Sequence, residues 1–244
     1  CGAVPIIIGR PAQEEGISLT ECKRMLAKHF SCEGNPHITL LGIGMGSEET
    51  LTIQGKRAVE KADLIIGARR IADAVALSGQ EILYEYRSRE IIDYIQNHPE
   101  YSNIVIALSG DVGFYSGARK LLELFGEASI QPEIICGISS VVYFMSKIGL
   151  SWDNAKIVSA HGKNCNLISL ISSYEKTFAI LGTAAGVAEL AKKLTGYGMG
   201  EVMLYVGEKL SYPDEKIFAK TARELTDYKA DPLSVVCVYN PEAE

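Results

Sequence analysis

The strongest constraint on this chain is a repeated unit: a short apolar run, a glycine-containing turn, then an amphipathic stretch. His37–Gly42 is followed by Gly42-Ile43-Gly44-Met45-Gly46, and a run over 104–108 by Ser109-Gly110-Asp111-Val112-Gly113. A run over 133–136 leads into Gly137-Ile138-Ser139-Ser140. Stretches between such runs carry apolar residues at helical spacing, as Ile91, Ile92 and Ile95 do over 89–97. Strands alternating with helices predict an α/β architecture with a mainly parallel sheet. Further strands are expected at 64–67, 82–84, 156–160, 177–181, 202–206 and 233–239, and helices at 51–62, 117–125, 139–148, 165–173 and 185–194. The stretch 216–226 fits neither period. A polar break at Gly149-Leu150-Ser151-Trp152-Asp153-Asn154 divides the alternation, giving domains at 37–154 and 155–244.

The leading segment holds one strand, Pro5 to Gly9, and one capped helix from Ser18-Leu19-Thr20-Glu21 to about His29. Two elements bury too little to stand alone. Residues 1–36 therefore read as the tail of another domain, and a start at Cys1 instead of Met reads as a cut from a longer product.

Charge narrows the partners. Lys plus Arg is 24 and Asp plus Glu 30, a formal net charge of −6, where a nucleic-acid binder carries a basic excess. No apolar run reaches the about 20 residues that span a bilayer. The six cysteines form no CxxC pair and no zinc-ligand spacing with the four histidines, so no metal site is expected and the thiols read as reduced packing residues of a cytoplasmic protein.

Glycine turns at carboxyl strand ends are where α/β folds bind small molecules. The first turn has GxGxG spacing instead of the dinucleotide GxGxxG, and Ala68-Arg69-Arg70 follows the second strand where an NAD site has an acid. It is either a ligand loop or a bare βα turn. Asp111 either accepts hydrogen bonds from a ligand or opens the next helix; Ser139 and Ser140 either bind a ligand or cap. His161, in Ser159-Ala160-His161-Gly162-Lys163, titrates near neutrality and is a candidate acid or base. No GxSxG nucleophile signature occurs.

Taken together, these loops resemble a family. ITLLGIGMGSEETLTIQGKRAVEKADLIIGARR (38–70) and ALSGDVGFYSGARKLL (107–122) resemble the tetrapyrrole (corrin/porphyrin) methyltransferases. GISSVVYFMSKIGLSWDNAKIVSAHGK (137–163) and the VGE…YPDE…DPLSVV pattern of 206–238 resemble the branch that methylates carbon 5 of cobalt-precorrin-7 (precorrin-6Y type). Met45 and Val112 stand where the family usually has proline. Residues 4–30 are similar to the C-terminal end of precorrin-6A reductase, which implies an upstream fusion.

The resemblance implies a tetrapyrrole-methylase fold of two α/β domains with the active-site cleft between them. It implies a homodimeric S-adenosyl-L-methionine-dependent C-methyltransferase of cobalamin (vitamin B12) biosynthesis. Met45, Ser109, Gly110, Asp111, Phe114, Ser139, Ser140, Leu181, Gly182 and Thr183 are then expected at the cofactor. Gly44, Arg69, Arg70 and Lys163 are expected at the tetrapyrrole carboxylates, with Arg119 as a plain surface charge. His161 or Glu208 is expected to take the proton released from the ring. Two other readings share these loops: a methyltransferase of the same fold acting on diphthamide or rRNA, and a tetrapyrrole- or nucleotide-binding module without catalysis.

Overall fold

The computed structural model describes residues 36–160 and 166–243. The leading segment, with the strand and helix expected there, and His161, Lys163 and Cys165 lie outside the described residues. Among the described residues, ten strands form two five-stranded sheets.

The first sheet contains β1 (His37–Gly42), β2 (Leu64–Gly67), β3 (Glu81–Tyr84), β4 (Asn103–Leu108) and β5 (Glu133–Ile135). All are parallel, in the order β3-β2-β4-β1-β5. Helices α1 (Ile53–Lys61), α2 (Arg69–Asp73), α3 (Ser88–Asn97), α4 (Ala118–Glu127) and α5 (Ser140–Lys147) make the crossovers and the exit. The short α2 and a 3-10 turn at Glu48–Thr50 escape the sequence periodicity, being one turn each. Side-chain alternation places Ile38 and Leu40 of β1 among Ile91, Ile95, Leu121 and Phe125. Leu41 faces the other way, with Val59 and Ala72. Both faces are thus covered, which is why the strands read as continuous apolar runs.

The second sheet contains β6 (Lys156–Ser159), β7 (Lys176–Ile180), β8 (Met203–Glu208), β9 (Lys216–Thr221) and β10 (Ser234–Tyr239), in the order β6-β7-β10-β8-β9. Only β6 and β7 pair in parallel; the three other pairings are antiparallel. The mainly parallel sheet expected from the alternation is the first sheet; the second is mostly antiparallel. The reason is connection length: seven residues join β8 to β9, too few for the crossover that parallel neighbours need. The ambiguous 216–226 resolves as β9 and a 3-10 turn, Arg223–Leu225. Helices α6 (Leu167–Ser173) and α7 (Gly186–Gly196) cover one face through Val187, Leu190 and Leu194 packed with Val206 and Val236.

The other face of the second sheet is covered by α5, which leaves the first sheet. Val141, Phe144 and Met145 pack with Phe178, Leu210, Val235 and Cys237. Phe144 is fully buried and lies against bare backbone: a Cβ on Gly207 would stand 2.6 Å from its ring. Burial pushes the Cys237 thiol up to about 12, so it is inert packing; Cys136, just after β5, is exposed. No helix among the described residues is long and apolar enough to cross a membrane.

Phe144→Ala is expected to lower unfolding free energy by about 3–5 kcal/mol, because the ring fills a closed contact. Gly207→Ala is expected to cost about 1–3 kcal/mol by overpacking against the same ring. Urea denaturation followed by circular dichroism measures both.

Candidate functional site

Three turns of the first sheet meet backbone to backbone at its carboxyl edge. Gly44 and Gly110 exchange two hydrogen bonds, Gly44 N to Gly110 O at 3.0 Å and Gly110 N to Gly44 O at 2.8 Å. A Cβ on Gly137 would lie 2.2 Å from Gly110 O and 2.5 Å from Gly42 O. Only glycine lets the turns after β1, β4 and β5 stack this closely. Asp111 staples them: Oδ1 accepts from Gly113 N at 2.9 Å and Oδ2 from Gly137 N at 3.2 Å. Both carboxylate oxygens thus serve the loops. Ser139 caps α5 by accepting from Val142 N.

The second sheet brings its own turns to the same place. The ends of β7 and β8 point there, and β10, being antiparallel to both, starts there. Between the two sheets lies a cavity of about 440 Å³, within the size range of small-molecule sites. Met45, Arg70, Ser109, Gly110, Phe114 and Ser140 line it from the first half. Ser159, Ile180, Gly182, Leu210, Tyr212 and Ser234 line it from the second.

Several sequence-derived candidates therefore share one cavity: Met45, Ser109, Gly110, Phe114, Ser140, Gly182 and Arg70. Others stand elsewhere. Leu181 and Thr183 line a separate cavity between α6 and α7. Arg69 stacks its guanidinium 4.0 Å over the Tyr84 ring. Gly44 belongs to the backbone bridge under the site. Glu208 is buried and accepts from Asp231 N at 3.0 Å and Tyr228 Oη at 3.3 Å, so it staples the turn before β10.

Tyr115, Lys209, Leu210, Tyr212 and Ser234, which the sequence does not mark as site residues, also line the cavity. Tyr115, Lys209 and Ser211 carry φ of +49°, +48° and +68°, left-handed values that cost energy outside glycine and collect at functional sites. No sequence signal marks such strain. Ser234 is almost wholly buried, and its Oγ has no hydrogen-bond partner. An orphan hydroxyl costs about 1–3 kcal/mol until a partner arrives.

The 209–215 loop is tied to the first half at several points. Ser47 and Ser211 hydroxyls hydrogen-bond to each other, and Arg70 Nη1 donates to Tyr212 Oη at 2.7 Å. Glu215 is the hub. Its Oε2 accepts from Ser211 N at 2.6 Å and from Tyr143 Oη of α5 at 2.8 Å, while Lys147 Nζ stands 3.6 Å from Oε1. Partial burial pushes its pKa up, but these donors and the Lys147 charge outweigh that and hold the carboxyl below 4.5.

Residues 37–226 match the family Tetrapyrrole (Corrin/Porphyrin) Methylases. A probable cobalt-precorrin-7 C(5)-methyltransferase of Methanocaldococcus jannaschii is 30% identical over 85% of this chain and 99% of its own length. Among solved structures, the precorrin-6Y methylase of Archaeoglobus fulgidus (cobalamin biosynthesis) is 21% identical, with TM-score 0.62 over 85% of this chain and 99% of that one. A uroporphyrin-III C-methyl transferase of Thermus thermophilus, complexed with S-adenyl homocysteine, is 18% identical, with TM-score 0.68 over 83% of this chain and 92% of that one.

A carboxyl whose pKa is depressed by folding stabilises above its unfolded value and loses that contribution as pH falls through its folded one. Glu215 is therefore expected to add acid sensitivity below about pH 4.5. Thermal melts across pH 3–7 test it: Glu215→Gln should melt lower than wild type at pH 7, with the gap closing toward pH 3.

Proposed function

Because this chain belongs to the tetrapyrrole (corrin/porphyrin) methylase family, we propose that it methylates carbon 5 of cobalt-precorrin-7 in cobalamin biosynthesis. It is an S-adenosyl-L-methionine-dependent C-methyltransferase of tetrapyrroles. The observation that carries the reading is the cavity between the two sheets, where glycine turns, apolar side chains and a guanidinium meet.

The cavity suits S-adenosyl-L-methionine on three grounds. Its volume falls in the range of small-molecule sites. It offers apolar surface from Phe114, Ile180, Leu210 and Val235 beside polar groups from Ser109 and Ser140. The orphan Oγ of Ser234 awaits a polar partner. Met45, Ser109, Gly110, Phe114, Ser140, Gly182 and Ser234 are the residues proposed to hold the cofactor, with Asp111 and Ser139 fixing the loops beneath. When bound, S-adenosyl-L-methionine supplies an electrophilic sulfonium methyl group.

The chain's own task is placement. Phe114, Leu210 and Val235 keep water from the apolar part of the cavity. Orienting two reactants in a fixed cleft is worth up to about 7–11 kcal/mol in ideal cases, so no nucleophilic side chain is required. Arg70 supplies charge for a substrate carboxylate. His161 and Lys163 follow β6 in the sequence, and Ser159 at the end of that strand lines the cavity. They are the proposed proton acceptor and a second carboxylate partner. This reading takes the protein as a cytoplasmic homodimer.

Incubation with S-adenosyl-L-methionine and cobalt-precorrin-7 is expected to add one methyl to the tetrapyrrole by mass spectrometry. Methyl transfer to diphthamide precursor or rRNA instead, or none with any acceptor, overturns the assignment. Ser234→Ala is expected to weaken S-adenosylhomocysteine binding by about 1 kcal/mol in calorimetry while the ligand-free melting temperature holds or rises, since an unpaired hydroxyl is removed.

A further inference from the structure

Among the described residues, Arg70 and Lys209 are the cations that line the cavity, and their surroundings differ. Lys209 is spoken for: its Nζ lies 2.6 Å from Asp214 Oδ2 and 3.5 Å from Asp231 Oδ2, and the Asp214 hydrogen bond and charge raise its pKa. Arg70 has no carboxylate within ion-pair distance among the described residues. Its Nη1 donates instead to a neutral group, Tyr212 Oη, at 2.7 Å. In a chain with six more acids than bases, an unpaired guanidinium at a cavity is a placed charge, and a carboxylate is its natural complement.

Tyr212 is held for this contact. It belongs to the strained 209–215 loop, between Ser211, which is fixed by Ser47 and Glu215, and Glu215 itself, which is fixed by Tyr143. Its hydroxyl crosses to the first half beside Gly46, where a Cβ would stand only 2.6 Å away. A side chain at Gly46 would displace Tyr212, and Arg70 Nη1 stands 3.6 Å from the same point.

A phenol has one donor and acceptor lone pairs. Here a lone pair receives Arg70 Nη1–H, so the Tyr212 O–H remains to donate. Accepting from a cation strengthens that donor through hydrogen-bond cooperativity. Arg70 keeps its other N–H groups.

We propose that Tyr212 is a substrate-recognition residue: its O–H and the Arg70 guanidinium together bind one carboxylate of the tetrapyrrole's acidic side chains, across the seam between the two sheets. This rests on the reading of the cavity as a tetrapyrrole methyltransferase site. It gives the YPDE segment a role, with Tyr212 touching the substrate and Glu215 positioning the loop.

The test compares wild type, Tyr212→Phe and Arg70→Lys. KM for cobalt-precorrin-7 is expected to rise roughly tenfold in Tyr212→Phe, the worth of a hydrogen bond to a charged group, with kcat within about twofold. Arg70→Lys keeps the charge but loses the fork, and should raise KM at least as much. S-adenosylhomocysteine affinity should hold in both variants; a parallel loss of it would mean a merely structural role and overturn the proposal. Uroporphyrin III, an octacarboxylate, serves as a binding probe that needs no turnover. Wild type is expected to bind it more tightly than Tyr212→Phe by fluorescence quenching. Equal affinity, or no binding to wild type, overturns the proposal. Absence of methyl transfer by wild type with uroporphyrin discrimination intact overturns the carbon-5 assignment and leaves the carboxylate clamp standing.

Discussion

Phe144 sits on the bare backbone of Gly207, and that contact sets how the two sheets stand to each other. Helix α5 starts at the glycine stack of the first sheet and packs Val141, Phe144 and Met145 onto the second, so one element carries both sides of the cleft. Interiors are close-packed, and a contact of this kind has little slack. The polar seam follows from it, because the bonds of Ser47 to Ser211, Arg70 to Tyr212 and Tyr143 to Glu215 span the gap that α5 fixes. The cavity is what remains where the two carboxyl edges face one another without filling.

The distribution of acids follows a similar economy. Asp111 and Glu208 could each pass for catalytic groups, since both sit beside the cleft in sequence. Each instead receives two donors from neighbouring turns or side chains, which immobilises the backbone around the cavity. Methyl transfer from an activated sulfonium asks for placement, and placement is what carboxylates deliver when they grip backbone N–H groups. The acids of this site work as fasteners.

Much of this was legible in the sequence, and the gaps have physical causes. Glycine turns at strand ends announced the first sheet and the residues Ser109, Gly110, Phe114 and Ser140, because close backbone approach leaves a signature in residue type. The antiparallel half was less legible: β9 is partly exposed and lacks a clean period, and β10 reads as a generic buried run whichever way it points. Leu181 and Thr183 neighbour Gly182 in the chain but line a different cavity, which a loop sequence alone does not reveal. Tyr212 and Ser234 matter through long-range meetings, with Arg70 142 positions away in the first case, and periodicity carries no such information.

The central place of β10 has a consequence for synthesis. Strands β6 to β9 leave the ribosome first, yet β10 lies between β7 and β8, so until it emerges the second sheet is two separate fragments with an open slot. The first sheet has all its strands by residue 135 and is free to fold during translation, as N-terminal units commonly do. The cleft is therefore the last thing the chain builds. A product stopped short of β10 would retain a folded first half and expose an apolar slot, a natural substrate for chaperones and proteases.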